Sequence, residues 1–379
     1  LANAPAHPRR AARPQSNLRV CACDNYGFAE SASSKQAINP TARMNSQSTV
    51  NVAIAQINST VGDLVGNAAR ITSAARRAAS MGADIMLTPE LSLVGYPPED
   101  LLLRRSFYAK SQQALEALAT ELADLKDLHV IVGHPQTKGE HNFNAASVLC
   151  NGKILATYCK HALPNYTVFD EKRYFSAADE VCTFSVKDTC FAINICEDTW
   201  VPEMPARARA AGADVLLVPN ASPYHMNKQH LRHDVMRTNV SEQGLALVYA
   251  NLVGAQDELV FDGASFVMDA NGELCAQLPS FEESLTLVEI QTGKPRSQPL
   301  SAALSIEAQV YSALVLGVRD YIGKNGFPGA IIGLSGGVDS ALTLAIAVDA
   351  LGADKVRAVM MASPYTAEIS WLDSRDMAK

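Results

Sequence analysis

Phe191-Ala-Ile-Asn-Ile195-Cys196-Glu197-Asp198-Thr-Trp200 is a short apolar run that stops abruptly on a thiol followed by two carboxylates. Its length and its β-branched and aromatic content read as a buried strand. A strand that ends on Cys196 displays a nucleophile at its tip. A second chemical signature lies far downstream, in Gly333-Leu334-Ser335-Gly336-Gly337-Val338-Asp339-Ser340, between an apolar run at 329–334 and an apolar helix pattern from Ala341. Two adjacent glycines let backbone amides close on oxygen atoms, the helix start turns its positive end toward them, and the serine hydroxyls add donors. The Gly-Lys-Ser/Thr ending of a Walker A loop is missing, so this is a phosphate-binding loop of another kind.

Outward from Cys196 the chain alternates short apolar strands with amphipathic helices, the mark of an α/β layered domain. Strands are expected at 50–56, 84–87, 129–133, 142–150, 153–159, 190–195, 215–219, 246–251 and 285–290, and helices at 67–81, 111–125 and 228–243. Asn151-Gly152 is a two-residue type I′ hairpin signal, and further hairpins turn near Lys187-Asp188 and Asn271-Gly272. Mixed hairpins and crossovers argue for two sheets sandwiched between helices. The polar stretch at 291–298 contains Gly and Pro without periodicity and reads as the start of a linker over 291–304. Beyond it, a helix at 305–322, the strand at 329–334, a helix at 340–351 and a strand at 356–361 open a doubly wound nucleotide-binding unit. About 80 residues are too few to complete such a unit, so 305–379 reads as a partial domain that exposes apolar residues such as Ile331, Leu344 and Ile346. Residues 1–43 are rich in Pro, Ala, Ser and Arg. The expectation there is an upstream or disordered segment, with Met44 as the native start and a first domain over 44–290.

The 379 residues carry a formal net charge of −7. No basic footprint for nucleic acid or anionic lipid is present, which points to small-molecule partners. No apolar run approaches the roughly 18 to 20 residues of a membrane helix. Eight cysteines are scattered without a CxxC pair, as suits a reducing compartment, and the cytoplasm is the expected location.

Three polar residues stand at expected strand ends: Glu90 after 84–87, Lys160 after 153–159, and Cys196. A cysteine that attacks an amide needs a lowered thiol pKa, a base that also protonates the leaving amine, and a cation or donors for the oxyanion. Taken singly, each residue is ordinary. The words around them are not. Pro89-Glu90-Leu91, Lys160-His-Ala-Leu-Pro164-Asn165-Tyr166-Thr-Val-Phe-Asp170-Glu171-Lys-Arg173-Tyr174-Phe175 and Ile195-Cys196-Glu197-Asp198 together resemble the nitrilase superfamily, specifically the glutaminase domain of glutamine-dependent NAD synthetases.

That resemblance covers about residues 50–290 and implies a four-layer αββα sandwich. It implies Glu90 as general base, Lys160 as oxyanion-stabilising cation, Cys196 as nucleophile, and Glu171 as the second glutamate that positions the lysine. It also implies Tyr96, Tyr166, Glu197, Ser222 and Lys228 as the residues that hold glutamine. His225, His230 and His233 fit no zinc spacing and read as exposed helix histidines.

The loop Ser335-Gly336-Gly337-Val338-Asp339-Ser340 resembles the pyrophosphatase loop of adenylating amidotransferases, with Asp339 holding Mg²⁺ against the phosphates of ATP. Val359-Met-Met-Ala-Ser363-Pro364-Tyr-Thr366 and Asp373-Ser-Arg375-Asp376 resemble that family's next strand, loop and helix. Together these imply a carbon-nitrogen ligase with glutamine as amido donor: deamido-NAD, ATP and glutamine give NAD, AMP, pyrophosphate and glutamate. No permanently bound cofactor is implied, and the full-length enzyme is expected to be a homo-oligomer. With the second domain partial, this chain is not expected to make NAD by itself. The alternatives are a free-standing carbon-nitrogen hydrolase acting on another amide, a non-catalytic nucleotide-binding subunit, and an amidotransferase with another acceptor.

Overall fold

The computed structural model describes residues 20–21 and 48–379. The expectations for 1–43 and for Met44 lie outside the described residues, except that the backbone of Val20–Cys21 pairs in parallel with Val181–Cys182.

Strand Thr49–Gln56 shows how the layers arise. Successive side chains of a strand point to opposite faces. Val50, Val52 and Ile54 therefore enter one core, while Ala53 and Ala55 enter another. The first core also takes Phe191, Ile193, Ile195, Leu217 and Val248 from a second sheet, and so lies between the two sheets. The second core takes Ile71, Ala75 and Ala78 of helix Leu64–Ser80 and Leu115 and Leu118 of helix Arg105–Glu121. On the far side, Leu216, Val218, Leu247 and Tyr249 pack against Ala208, Met236 and Val240 of helices Glu203–Ala210 and Lys228–Ser241. The order is helices, sheet, sheet, helices, the four-layer αββα sandwich. Ile54 is fully buried, and its truncation to Ala would cost about 2–5 kcal/mol.

The first sheet has the spatial order Lys294–Pro295, Ser284–Gln291, Thr49–Gln56, Ile85–Leu87, His129–Lys138, His141–Cys150, Lys153–Cys159. The second runs Val20–Cys21, Val181–Val186, Thr189–Ile193, Val215–Asn220, Ala246–Asn251, Phe266–Met268, Leu274–Gln277. Ile85–Leu87 is parallel to His129–Lys138, and two antiparallel steps then bring Lys153–Cys159 back to the same direction. Glu90 and Lys160 consequently leave the sheet at the same end. In the second sheet Thr189–Ile193 and Val215–Asn220 are parallel, which places Cys196 and Ser222 beyond one common edge.

The Asn151-Gly152 turn has φ of +50° and +78°, the geometry a type I′ hairpin requires. The stretch read as the start of a linker is instead tied down. Thr292 and Gly293 turn at φ of +48° and +75°, and Lys294–Pro295 pairs back on Ser284–Gln291.

A hairpin that sequence patterning missed, Val253–Gln256 with Leu259–Asp262, seats helix Ile306–Lys324. Val253 and Phe281 pack on Ala313 and Leu316 of that helix. The Asp320 carboxylate accepts from Asn58 Nδ2 (2.8 Å) and the Ala255 amide (2.7 Å), and Lys324 Nζ donates to the carbonyls of Ser59 (3.0 Å) and Ala255 (2.9 Å). Ser305 caps the helix by accepting from the Ala308 amide. Beyond it, Ala330–Gly333 and Val356–Val359 form a parallel pair joined through helix Val338–Leu351, and helix Glu368–Met377 follows. Ile331 is 73% exposed and Leu344 half-buried, but Ile346, expected at the surface, is buried. No helix among the described residues is long and apolar enough to cross a membrane.

Candidate active site

Glu90 emerges from the turn after Ile85–Leu87 and is buried. Its turn lies so close to strand His129–Lys138 that a Cβ on Gly133 would collide with the Leu91 nitrogen and stand 2.6 Å from the Pro89 carbonyl oxygen. Only glycine leaves room for that approach. Lys160 follows the last strand of the same sheet, its amide donating to the Asn144 carbonyl (2.8 Å). Its ammonium, 1% exposed, lies between two carboxylates, 2.7 Å from Glu90 Oε1 and 2.9 Å from Glu171 Oε1. Asn144 Nδ2 donates to the same Glu90 oxygen (2.7 Å), and the Ala221 amide donates to the other (3.0 Å).

Burial pulls the Lys160 ammonium toward neutrality, but Glu171 and Glu90 outweigh it and hold the pKa well above the usual lysine range. Burial pushes the Glu171 carboxyl up to about 7 against the opposing pull of Lys160. The Tyr96 hydroxyl donates to Glu171 Oε1 (3.3 Å). Burial and then the Glu171 charge hold that phenol well above its ordinary range.

Cys196 is buried and adopts φ of +44°, a left-handed conformation that costs a non-glycine residue about 1–2 kcal/mol. Thr199 Oγ1 donates to its carbonyl (2.8 Å). The expectation of a lowered thiol pKa is corrected. Burial, and then Glu90, push the thiol well above its ordinary value, outweighing the pull of Lys160. Of the two carboxylates after it, Glu197 accepts both of the short contacts made by the Tyr166 hydroxyl (2.9 and 3.0 Å), at the rim. Asp198 is fully buried.

Tyr166 is half exposed and stands beside a cavity of about 660 Å³ lined also by His161, Pro164, Phe175 and Glu197. Lys228 opens helix Lys228–Ser241 with its ammonium 4.7 Å from the centre of the Trp200 ring. Burial, and then Arg232, lower its pKa, while Cys196 and Glu197 act in the opposite direction. Ser222 is buried, its hydroxyl accepting from Arg232 Nε (3.2 Å) and its carbonyl from Arg232 Nη2 (2.7 Å).

Arg232 and Asn144 escaped sequence reasoning. Arg232 is fully buried and pairs with Asp262 Oδ2 at 2.8 Å. A cation in an otherwise polar helix gives no sign of burial. Asn144 stands in an expected strand, where an inward amide that donates to Glu90 has no signature of its own. His225 and His230 are exposed as read. His233 is not. It lies edge-on to Phe266 at 4.7 Å and bonds Gln229, and burial lowers its pKa to about 4.

In the second unit, Ser335 and Ser340 close the loop on itself. Their hydroxyls are 3.1 Å apart, the Gly337 amide donates to Ser335 Oγ (3.3 Å), and Ser340 Oγ donates to the Gly337 carbonyl (2.9 Å). Gly336 has φ of +81°, and a Cβ there would stand 2.6 Å from the Ser370 carbonyl oxygen. Leu334 is buried, while Gly333, Val338 and Asp339 are exposed, Asp339 in the first turn of helix Val338–Leu351.

A family described as carbon-nitrogen hydrolase matches residues 51–300, and one described as NAD synthase matches residues 310–379. The chain is 46% identical over 326 residues to the glutamine-dependent NAD(+) synthetase of Xylella fastidiosa (strain Temecula1 / ATCC 700964), the match covering 84% of this chain and 59% of that protein. It superposes with a TM-score of 0.82 and 40% identity on the glutamine-dependent NAD+ synthetase of Acinetobacter baumannii in complex with ADP, over 86% of this chain and 62% of that one. An amidase variant from Nesterenkonia sp. AN1, carrying acrylamide added to its active-site cysteine, matches with a TM-score of 0.57 and 27% identity, over 63% of this chain and 92% of the amidase. The chain thus spans about three-fifths of the length of the curated relatives it matches.

Proposed function

Because the chain belongs to the carbon-nitrogen hydrolase family, we propose that it is the glutaminase-bearing part of a glutamine-dependent NAD synthetase, with Cys196 as nucleophile. The observation that carries this reading is the buried Glu90–Lys160–Glu171 network, coupled electrostatically to Cys196, in one chain with the Ser335–Ser340 loop. Cys196 Sγ attacks the side-chain carbonyl carbon of glutamine as Glu90 takes the thiol proton. The Lys160 ammonium faces the oxyanion, a contribution of about 3–4 kcal/mol when a donor is correctly aimed. Collapse of the tetrahedral intermediate breaks the carbon–nitrogen bond, and Glu90 passes its proton to the departing ammonia. Water, deprotonated by the same carboxylate, then hydrolyses the thioester to glutamate and restores the thiol. Tyr96, Tyr166, Glu197, Ser222 and Lys228 select glutamine, with cationic Lys228 suited to its carboxylate and Glu197 to its ammonium.

The released ammonia serves the second unit, where the loop from Gly333 to Ser340 binds ATP and Asp339 holds the Mg²⁺ of the nucleotide complex. The exposed loop amides and hydroxyls fit phosphate oxygens, and an exposed carboxylate fits a hard cation. ATP there adenylates the carboxylate of deamido-NAD, which ammonia converts to the amide. The division proposed is 44–290 for the glutaminase domain, 291–304 for the connection and 305–379 for the synthetase part. The site of action proposed is the cytoplasm, and the full-length state a homo-oligomer.

Glutamate release from glutamine by the purified chain, with Cys196→Ala as control, tests the reading. Release that disappears in the variant supports it. Equal release by both proteins overturns it.

A further inference from the structure

The proposed nucleophile and the proposed oxyanion cation sit on different sheets, and their alignment depends on how two separate strand ends are joined. One side chain touches both. Asp198 is fully buried and makes no contact with solvent. Its Oδ1 accepts from the amides of His161 (3.0 Å) and Ala162 (2.7 Å), the two residues directly after Lys160. Its Oδ2 accepts from the Tyr158 hydroxyl (2.8 Å), two residues before Lys160, and from the Ile195 amide (2.9 Å), directly before Cys196. The Asp198 amide in turn donates to the Ile195 carbonyl (3.0 Å). The turn from Ile195 to Asp198 is therefore closed in both directions around Cys196, whose left-handed φ needs such over-determination to persist.

We propose that Asp198 is a positioning residue that registers Cys196 against Lys160 by binding the lysine strand at Tyr158, His161 and Ala162 and the nucleophile turn at Ile195. This rests on the reading of Cys196 as nucleophile. All four groups that meet the carboxylate are donors, and a carboxylate offers acceptors on both oxygens. Asparagine is nearly the same size but brings an NH₂ to one side. It must face either the Ile195 amide or the amides of His161 and Ala162 with a donor, so one strand end is released whichever way it turns. Burial pushes the Asp198 carboxyl up, while the backbone donors from Ala162 and Ile195 act to keep it ionised.

The test compares wild type, Asp198→Asn and Tyr158→Phe. Three quantities are read by mass spectrometry and steady-state kinetics: inactivation at Cys196 by a glutamine-shaped chloroketone, alkylation of Cys196 by iodoacetamide, and kcat and KM for glutamate release. A denaturant midpoint is recorded for each protein. Asp198→Asn is expected to lower kcat and the chloroketone rate about 100-fold, the scale of an ångström-sized misalignment, with KM and iodoacetamide alkylation little changed. Tyr158→Phe, which removes one of the four donors and no backbone contact, is expected to lower kcat about tenfold, the scale of one lost hydrogen bond. Asp198→Asn with wild-type kcat and chloroketone rate overturns the proposal. Should Asp198→Asn not fold, Tyr158→Phe decides: a fall in kcat at unchanged KM and midpoint supports positioning, and an unchanged kcat overturns it. Failure of the underlying reading looks different, because the chloroketone would then leave Cys196 of the wild-type protein unlabelled.

Discussion

Replacing Glu171 by Gln should make the protein more stable at alkaline pH and leave it unchanged at acid pH. Burial moves the Glu171 carboxyl from its usual 4.5 to about 7. Below pH 4.5 the native and unfolded chains both hold the proton, and the group contributes no difference. Between 4.5 and 7 the unfolded chain gives the proton up while the native chain keeps it. Stability therefore falls as pH rises. The loss is complete above about 7 and, at about 1.4 kcal/mol per pH unit, reaches about 3 kcal/mol. Gln removes this dependence at small structural cost, because Oε1 can still accept from Lys160 and Tyr96 and the amide nitrogen replaces an oxygen that has no partner. The assay is denaturant unfolding of both proteins from pH 5 to 8 in a Trp371→Phe background, so that Trp200 beside the site is the sole reporter. Burial lowers His134 and His233 to about 4 in the native protein, so only their unfolded-state titration falls in this range, and it is common to both proteins and cancels in the difference. The variant's advantage should grow from about 1 kcal/mol or less at pH 5 to about 3 kcal/mol at pH 8. A constant gap, or one that narrows with pH, would refute the reasoning.

Gly133→Ala forces a Cβ against Pro89 and Leu91 and should displace Glu90, lowering glutamate release about 100-fold and stability by about 1–3 kcal/mol; turnover and a denaturant midpoint check both. Gly336→Ala places a Cβ against the Ser370 carbonyl at a φ of +81°, so ATP binding by calorimetry should be lost while chloroketone labelling of Cys196 stays at the wild-type rate. Arg232→Met leaves Asp262 buried without its cation and should cost about 3–5 kcal/mol, and adding Asp262→Leu should restore most of that in a double-mutant cycle.

The layers were legible because both sheets are covered on both faces, so strands such as Thr49–Gln56 and Val215–Asn220 read as apolar runs bounded by Gly, Asn and Asp turns. Glu90, Lys160 and Cys196 were legible through the words around them, since nothing in a lone glutamate or lysine reveals that it will be 1% exposed. What stayed hidden has a common physical origin. The hairpin at Val253–Asp262 is short, and its partner, helix Ile306–Lys324, is distant in sequence and leaves no local period. Asp198, Asn144 and Arg232 are polar residues satisfied by tertiary partners, and local pattern assigns all such residues to solvent. The direction of the Cys196 shift was missed for a related reason. Motif logic supplies the nearby lysine but not the burial and the paired carboxylates that outweigh it.

That direction bears on how the site would work. A standing thiolate at Cys196 would add a further negative group to a chamber where Glu90 and, above about pH 7, Glu171 already share one ammonium, and in a buried site each uncompensated charge is costly. With the thiol held neutral, the proposed attack on glutamine would move its proton to Glu90 while negative charge appears on the carbonyl oxygen. One anion disappears as another forms, and Lys160 is in contact with both positions if the substrate carbonyl takes the place proposed for it. The net charge of the chamber is the same before and after the step, so the transition state requires no new buried charge and only a change in which oxygen the ammonium faces. Such a site depends less on a nucleophile poised by its own acidity than on the fixed placement of Lys160 relative to Cys196. A small error in that placement would leave the oxyanion without its cation just when Glu90 has been neutralised.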